Sequence, residues 1–258
     1  MLGVIGDLLE DVVVHLHEEV NVASDTEATV IRRRGGSAAN VVEAAIRAGG
    51  RARFIGQVGD DGAGHWLTDQ LAAIGADVVV RRAGRTGTIV VLLDVHGERT
   101  MLADRASATE LRDPDPAWLD GLHTLHIPFY SLAVEPLGAT TRTLAAWAHE
   151  RGIRVSVDVS SAAVLAAHGL DRAMDDIRGI GADVILANEL EAQVLGDRLH
   201  ASNRDGVLVV VKHGAGPAVV SRPDIGSVEV PAITVAGVID TTGAGDAFAA
   251  GLLLGLAA

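Results

Sequence analysis

Asp240-Thr241-Thr242-Gly243-Ala244-Gly245-Asp246-Ala247-Phe248 is the stretch around which the rest of the chain can be read. Two glycines and an alanine leave the backbone bare, so a ligand can approach it closely. A helix is expected to begin here, because Phe248, Leu252 and Leu256 fall four apart on one face. Its first turn would present N–H groups without intrahelical acceptors and the positive end of the dipole, a site suited to an anion and above all to phosphate. Asp246 sits in the same turn. A carboxylate there cannot hold a phosphate, but it can take a proton from a hydroxyl beside one. Anion cradle plus adjacent base is what phosphoryl transfer to an alcohol requires. An ordinary core helix with a glycine-rich start has the same spacing, and the cradle alone does not separate the two readings.

Upstream, strand ends carry the polar residues. Residues 2–6 are an apolar run ending in glycine, a buried first strand with Asp7 and Asp11 beyond its C-terminal end. Open α/β sheets bind ligands at that end. Both acids could accept hydrogen bonds from sugar hydroxyls, or stand as solvated loop carboxylates. Residues 12–20 and 28–34 suggest a pair of strands, and 86–94 and 98–103 a second pair around Val95-His96-Gly97. Together they would build a small sheet apart from the main one. Arg32-Arg33-Arg34 is expected to be a solvated strand end, and His15 and His17 surface or lid residues without a carboxylate partner for metal binding. Gly35-Gly36-Ser37-Ala38-Ala39-Asn40 opens an alanine-rich helix reaching residue 48. A plain turn accounts for its glycines but not for Asn40 one turn in. Asp60 or Asp61 is expected to cap the next helix, a structural role. Arg105 follows the small sheet and could meet an anionic substrate group or be a surface arginine.

From residue 122 to 211 apolar runs alternate with amphipathic helices, which indicates a parallel sheet covered on both faces. Asp158 ends one strand, as a ligand-side residue should. Asn188 and Glu191 follow another and lie on one side of a helix. Lys212, at the end of the next, can reach a phosphate, with Gly214 and Gly216 beside it and Pro217 lacking an N–H donor.

The chain has 258 residues, 48% of them hydrophobic, and a net charge of −13. That charge argues against a nucleic-acid or anionic-membrane partner. The absence of cysteine excludes disulfides and thiolate chemistry. The N-terminal stretch carries acids where a signal peptide needs bases, and no apolar run reaches the ~18 residues of a membrane helix. A cytoplasmic protein is expected. No G-x-G-x-x-G follows the first strand, which weighs against a Rossmann-type dehydrogenase.

The stretch at 240–248 resembles the C-terminal signature of the ribokinase-like (PfkB) carbohydrate kinase family. G-x-x-x-x-D at 6–11, G-G-x-x-A-N at 35–40, G-x-V-G-D-D-x-x-G at 56–64 and N-x-x-E at 188–191 resemble further blocks of that family, in its order. The resemblance implies one α/β kinase domain over 1–258, a three-layer, mostly parallel sheet with lid strands inserted at about 12–34 and 86–103. It implies transfer of the γ-phosphoryl group of ATP to a hydroxyl of a small sugar or sugar-like substrate. Asp246 would be the base, with the backbone of Gly243, Ala244 and Gly245 as the anion hole. Asp11, Gly35, Gly36 and Asn40 would contact substrate, with Asp7, Arg105 and Asp158 as further candidates. Asn188, Lys212, Gly214 and Gly216 would serve the nucleotide, and Glu191 would reach Mg²⁺ through water. Asp240 and Thr242 match positions that bind a monovalent cation, K⁺, in some members. Members usually continue past the position of Ala258, into a part that helps form the adenine pocket and completes the cation site, and its later ligands have no counterpart here. The lid often serves as a dimer surface, so a homodimer is an expected partner arrangement. The lid segments hold no Phe, Tyr or Trp, which favours a sugar over a nucleoside. A nucleoside kinase, and a sensor that binds sugar or nucleotide without turnover, are the alternatives.

Overall fold

The computed structural model describes residues 1–204, 206–235, 237–238 and 241–257. The chain begins with β1 (Leu2–Ile5), β2 (Leu9–Leu16), β3 (Ala28–Gly35) and α1 (Ser37–Arg47). β4 (Ala52–Val58), α2 (Gly62–Ala73), β5 (Asp77–Arg82), β6 (Thr88–Leu93) and β7 (Arg99–Asp104) follow. The second half runs through β8 (Thr124–Pro128), α3 (Tyr130–Ala133), α4 (Leu137–Glu150), β9 (Arg154–Asp158), α5 (Ala162–His168) and α6 (Leu170–Gly179). It ends with β10 (Val184–Asn188), α7 (Glu189–Leu195), α8 (Asp197–Arg204), β11 (Leu208–Lys212), β12 (Ala218–Arg222), β13 (Gly226–Val230) and α9 (Ala244–Gly255).

Among the described residues, nine strands form one sheet in the order β13-β12-β11-β10-β9-β8-β1-β4-β5. From β11 to β5 every pairing is parallel, and only β12 and β13 join antiparallel. The central strands are continuous apolar runs because both faces are covered, and alternate side chains enter opposite cores. Ile5, Ile127, Val157 and Ile185 pack in one core with Leu144 and Met174 of α4 and α6. Val4, Phe54, Leu186 and Val210 face the other core, under α1, α2 and α9. A second sheet, β3-β2-β6-β7, stands apart with a small core of Leu9, Ile89, Val91 and Ala108. This is the expected three-layer architecture with a lid.

Three expectations of detail were off. The first lid strand begins at Leu9, where it takes up the lid core, rather than at 12, and ends at Leu16 rather than at 20. β5 was not anticipated, since its three valines sit between charged ends and look like a loop edge. α9 begins where expected, but its buried face is Ala249, Ala250 and Leu253 rather than Phe248, Leu252 and Leu256, and Leu256 is 36% exposed. Small side chains decide this. Ala249 and Ala250 share a core with Ala38, Ala39, Val42 and Ala45, so α1 and α9 lie close together. Asp61 caps α2 as expected, accepting from the Gly64 amide at 2.8 Å, and it also holds Thr86.

Candidate active site

β1 is the point at which the strand order reverses: β4 and β5 lie on one side of it, β8 to β11 on the other. Such a reversal leaves a crevice at the carboxyl ends of the strands. The polar motifs fall on that edge: Asp7 after β1, Asp158 ending β9, Asn188 ending β10 and Lys212 ending β11. Two clefts open there, of about 540 Å³ and about 740 Å³, and Thr241 and Gly243 line both. Another cleft, of about 710 Å³, opens at the opposite strand ends beside Arg154, Val184 and Leu208 and carries none of the motifs.

Asp246 lines the smaller cleft, just past Gly243, and bonds Asn40, which lines the larger. Gly243 is the N-cap of α9 in the left-handed region, φ 75°, and turns the chain into the helix. Because α1 and α9 pack closely, two residues of α1 reach the carboxylate: Ser37 donates to Oδ1 at 2.7 Å and Asn40 Nδ2 donates to Oδ2 at 3.1 Å. Burial pushes the Asp246 carboxyl up to about 6, against those two hydrogen bonds, with Asp158 and Asp7 adding to the rise. The Ala244 amide is taken by the Thr241 carbonyl at 3.1 Å, so it is not part of an open anion hole.

The smaller cleft contains Asp246, Gly245, Lys212, Gly214, Asn188, Glu191 and Asp158. Asp158, expected on the substrate side, instead pairs with Lys212 at 2.6 Å. Ser160, φ 65°, fastens the Asp158 turn by donating its amide to the carboxylate at 2.9 Å. Asn188 and Glu191 form a capping box, with amide-to-side-chain bonds of 2.9 and 2.7 Å. Burial raises the Glu191 carboxyl, the Asn188 bond opposes it, and Asp158 adds to the rise. Gly216 gives its amide to the His213 carbonyl at 2.9 Å and does not line the cleft. Among the described residues no group of three or more His, Cys, Asp or Glu side chains could hold a metal ion. The carboxylates of Glu191 and Asp158 line this cleft, and Mg²⁺ takes one or two carboxylates and otherwise waters and phosphate oxygens. Asp240 lies outside the described residues, and Thr242 Oγ1 accepts from Arg99 at 2.9 Å.

The larger cleft lies beneath the lid and contains Asp11, Arg34, Asn40 and Arg99. Burial and then Asp7 push the Asp11 carboxyl up to about 6, against Arg34, Arg99 and Arg105. Its Oδ1 is buried without a hydrogen-bond partner among the described residues. Gly35 and Gly36 make room for the protein's own groups. A Cβ on Gly35 would overlap the Asp11 carboxylate, and one on Gly36, φ 101°, would overlap the Asp7 carbonyl. Asp7 lines neither cleft; it is 6% exposed, pairs with Arg105 and accepts from the Ala38 amide at 3.3 Å. Arg105 lies 4.3 Å from the Tyr130 ring centroid, so it is no free surface arginine.

Arg34 overturns the reading of the arginine run as a solvated strand end. Its side chain is 9% exposed, pairs with Glu43 and donates to Asn40 Oδ1 at 3.4 Å. Ser37, Tyr130 and Ser160 were also missed. Tyr130 follows a strand end, which was a usable signal; a serine carries none.

A mostly parallel sheet, reversed at β1 and roofed by a small β lid, is the ribokinase-like architecture. The solved adenosine kinase of Sinorhizobium meliloti superposes with a TM-score of 0.87 at 24% identity, covering 99% of this chain and 86% of that one. A Pyrococcus horikoshii sugar kinase solved in complex with ATP gives 0.81 at 23%, covering 99% and 84%. In sequence, the chain is 35% identical to a Klebsiella pneumoniae fructokinase over 255 residues, 93% of this chain and 82% of the relative. It is 34% identical to an ATP-dependent ribose-1-phosphate kinase of Halopiger xanaduensis over 245 residues, 89% and 76% of the two. The model of the pfkB family carbohydrate kinases matches residues 2–258. The chain belongs to this family and is an ATP-dependent carbohydrate kinase. Among the described residues no helix is long and apolar enough to cross a membrane.

Proposed function

We propose that the enzyme transfers the γ-phosphoryl group of ATP to a hydroxyl of a small sugar-like substrate held beneath the lid, with Asp246 as the base. The observation that carries this reading is the Asp246 carboxylate in the smaller cleft, held by Ser37 and by Asn40, which itself lines the larger cleft. One cleft takes nucleotide, the other takes the acceptor, and the proton leaves where they meet. Asp246 accepts the hydroxyl proton as the acceptor oxygen bonds to the γ-phosphorus. The bond from that phosphorus to the bridging oxygen breaks, and ADP departs.

The remaining roles follow from position. Gly245 and Asp246 amides at the helix mouth steady the transferring charge, since Ala244 already bonds Thr241. Lys212 exchanges part of its pairing with Asp158 for a phosphate oxygen. Mg²⁺, when bound, would neutralise phosphate charge, and Glu191 would help hold it through water. Asp11, one of whose buried oxygens has no hydrogen-bond partner among the described residues, accepts hydroxyls of the acceptor. The lid keeps water from the phosphoryl group. Its exposed Val30, Ile31 and Leu102 support covering by a second copy. Relatives named fructokinase and ribose-1-phosphate kinase favour a sugar acceptor over a nucleoside.

Coupled ADP release across a panel of sugars and nucleosides, with Mg²⁺ and ATP, tests the reading. Turnover with sugars is expected. Binding of sugars without ADP release from any of them would make the protein a sensor.

A further inference from the structure

The acceptor cleft is basic in an acidic protein. The whole chain carries −13, yet Arg33, Arg34, Arg47 and Arg99 line this cleft against the carboxylates of Asp11 and Glu43. Pairing does not exhaust the positive charge. Glu43 alone serves both Arg34 and Arg47. Arg99 donates to the neutral hydroxyl of Thr242 at 2.9 Å. Arg33 has no ion-pair partner among the described residues. Two of these guanidinium groups, those of Arg34 and Arg99, also act on Asp11 within the cleft. Arg33 comes from β3 and Arg99 from β7, the two edge strands of the lid, so they flank the strand that carries Asp11. Sugar hydroxyls are served by carboxylates and amides. Planar guanidinium forks match phosphate and carboxylate oxygens.

We propose that the acceptor is a sugar carrying an anionic group remote from the reacting hydroxyl, a phosphomonoester or a carboxylate, held by Arg33 and Arg99 under the lid while the hydroxyl faces Asp246. This rests on the kinase reading above. Asp11, opposite Arg33 in the pairing of β2 with β3, remains for the hydroxyls. The surplus charge draws the acceptor in, and its effect weakens as salt screens it.

The test measures kcat/KM by ADP release for three sets of acceptors: neutral pentoses and hexoses, the same sugars phosphorylated away from the free hydroxyl, and sugar acids. The expected result is a preference of about tenfold or more for one anionic set, which also says whether phosphate or carboxylate is the group recognised. That preference should shrink about tenfold in Arg99→Gln and in Arg33→Gln, both exposed positions, and shrink again between low and high salt. ADP release with neutral sugars but not with anionic ones overturns the inference and leaves the kinase reading standing. An anionic-to-neutral ratio unchanged in both variants overturns it too. If no acceptor yields ADP, calorimetry with the phosphorylated sugars and sugar acids decides alone. Salt-sensitive binding lost in Arg99→Gln upholds the anion site while the kinase reading fails, and binding indifferent to the variant ends both.

Discussion

Replacing Asp246 by asparagine should abolish most activity and, at neutral pH, make the protein more stable. The carboxyl is raised from 3.8 to about 6, with burial the first cause. Because the folded value lies above the unfolded one, the fold favours the protonated acid, and ionisation costs stability as pH rises through that interval. The full cost is about 3 kcal/mol above the folded value. Partial solvent contact reduces it to about 1–2 kcal/mol. An amide carries no such cost and keeps both hydrogen bonds: its oxygen can accept from Asn40, and its NH₂ can donate to the Ser37 hydroxyl. Asp246→Asn should therefore melt a few degrees higher than the parent at pH 8, about 2–4 °C per kcal/mol. Near pH 4 most of that difference should be gone, because the folded acid is protonated and the unfolded one is about half so. Initial rates should fall about 10²–10⁴-fold, with KM for ATP little changed. Thermal unfolding at the two pH values and coupled ADP release measure all of this. Turnover within a few-fold of the parent would refute the assignment of the base. An equal melting difference at pH 4 and pH 8 would refute the electrostatic argument.

Ser37→Ala removes a donor that favours the ionised base, so the acidic limb of the kcat/KM profile should move to higher pH by about 0.5–1; a limb that stays put contradicts the role given to the 2.7 Å bond. Lys212→Met should raise KM for ATP about tenfold or more and lower stability, since it strands Asp158 at 9% exposure. Adding Asp158→Asn should restore the stability but not the ATP affinity, which steady-state rates and urea titration separate. Gly36→Ala, at φ 101° and against the Asp7 carbonyl, should cost about 2–4 kcal/mol by urea unfolding; a loss below about 0.5 kcal/mol would mean that the turn relaxes freely.

Much of the site was legible because each strand announces its end. An apolar run stops at Asp158, Asn188 or Lys212, and a parallel sheet brings such ends to one edge whatever the loops do. Asn40 and Asp246 were legible for a related reason, each standing just inside a helix after bare glycines. What stayed hidden depended on partners distant in the chain. Arg34 looks solvated in a run of three arginines and is buried only because α1 turns back and sets Glu43 and Asn40 against it. Asp7 reads as a free loop acid until Arg105 arrives from beyond the lid. Ser37 matters only because α9 lies against α1, and that closeness comes from alanines, which a hydrophobic pattern undervalues. The same undervaluation misplaced the buried face of α9, where bulk was sought and smallness was decisive.

Asp11 lies within β2, and β3 runs straight into Gly35 and Gly36. The roof and the gripping hand are therefore one piece of backbone. A compound held by Asp11 would pull on the small sheet itself, which would couple filling to sealing through a single fulcrum. An acceptor stripped of one hydroxyl should then turn over more slowly as well as bind more weakly, because part of its grip is spent in drawing the roof shut.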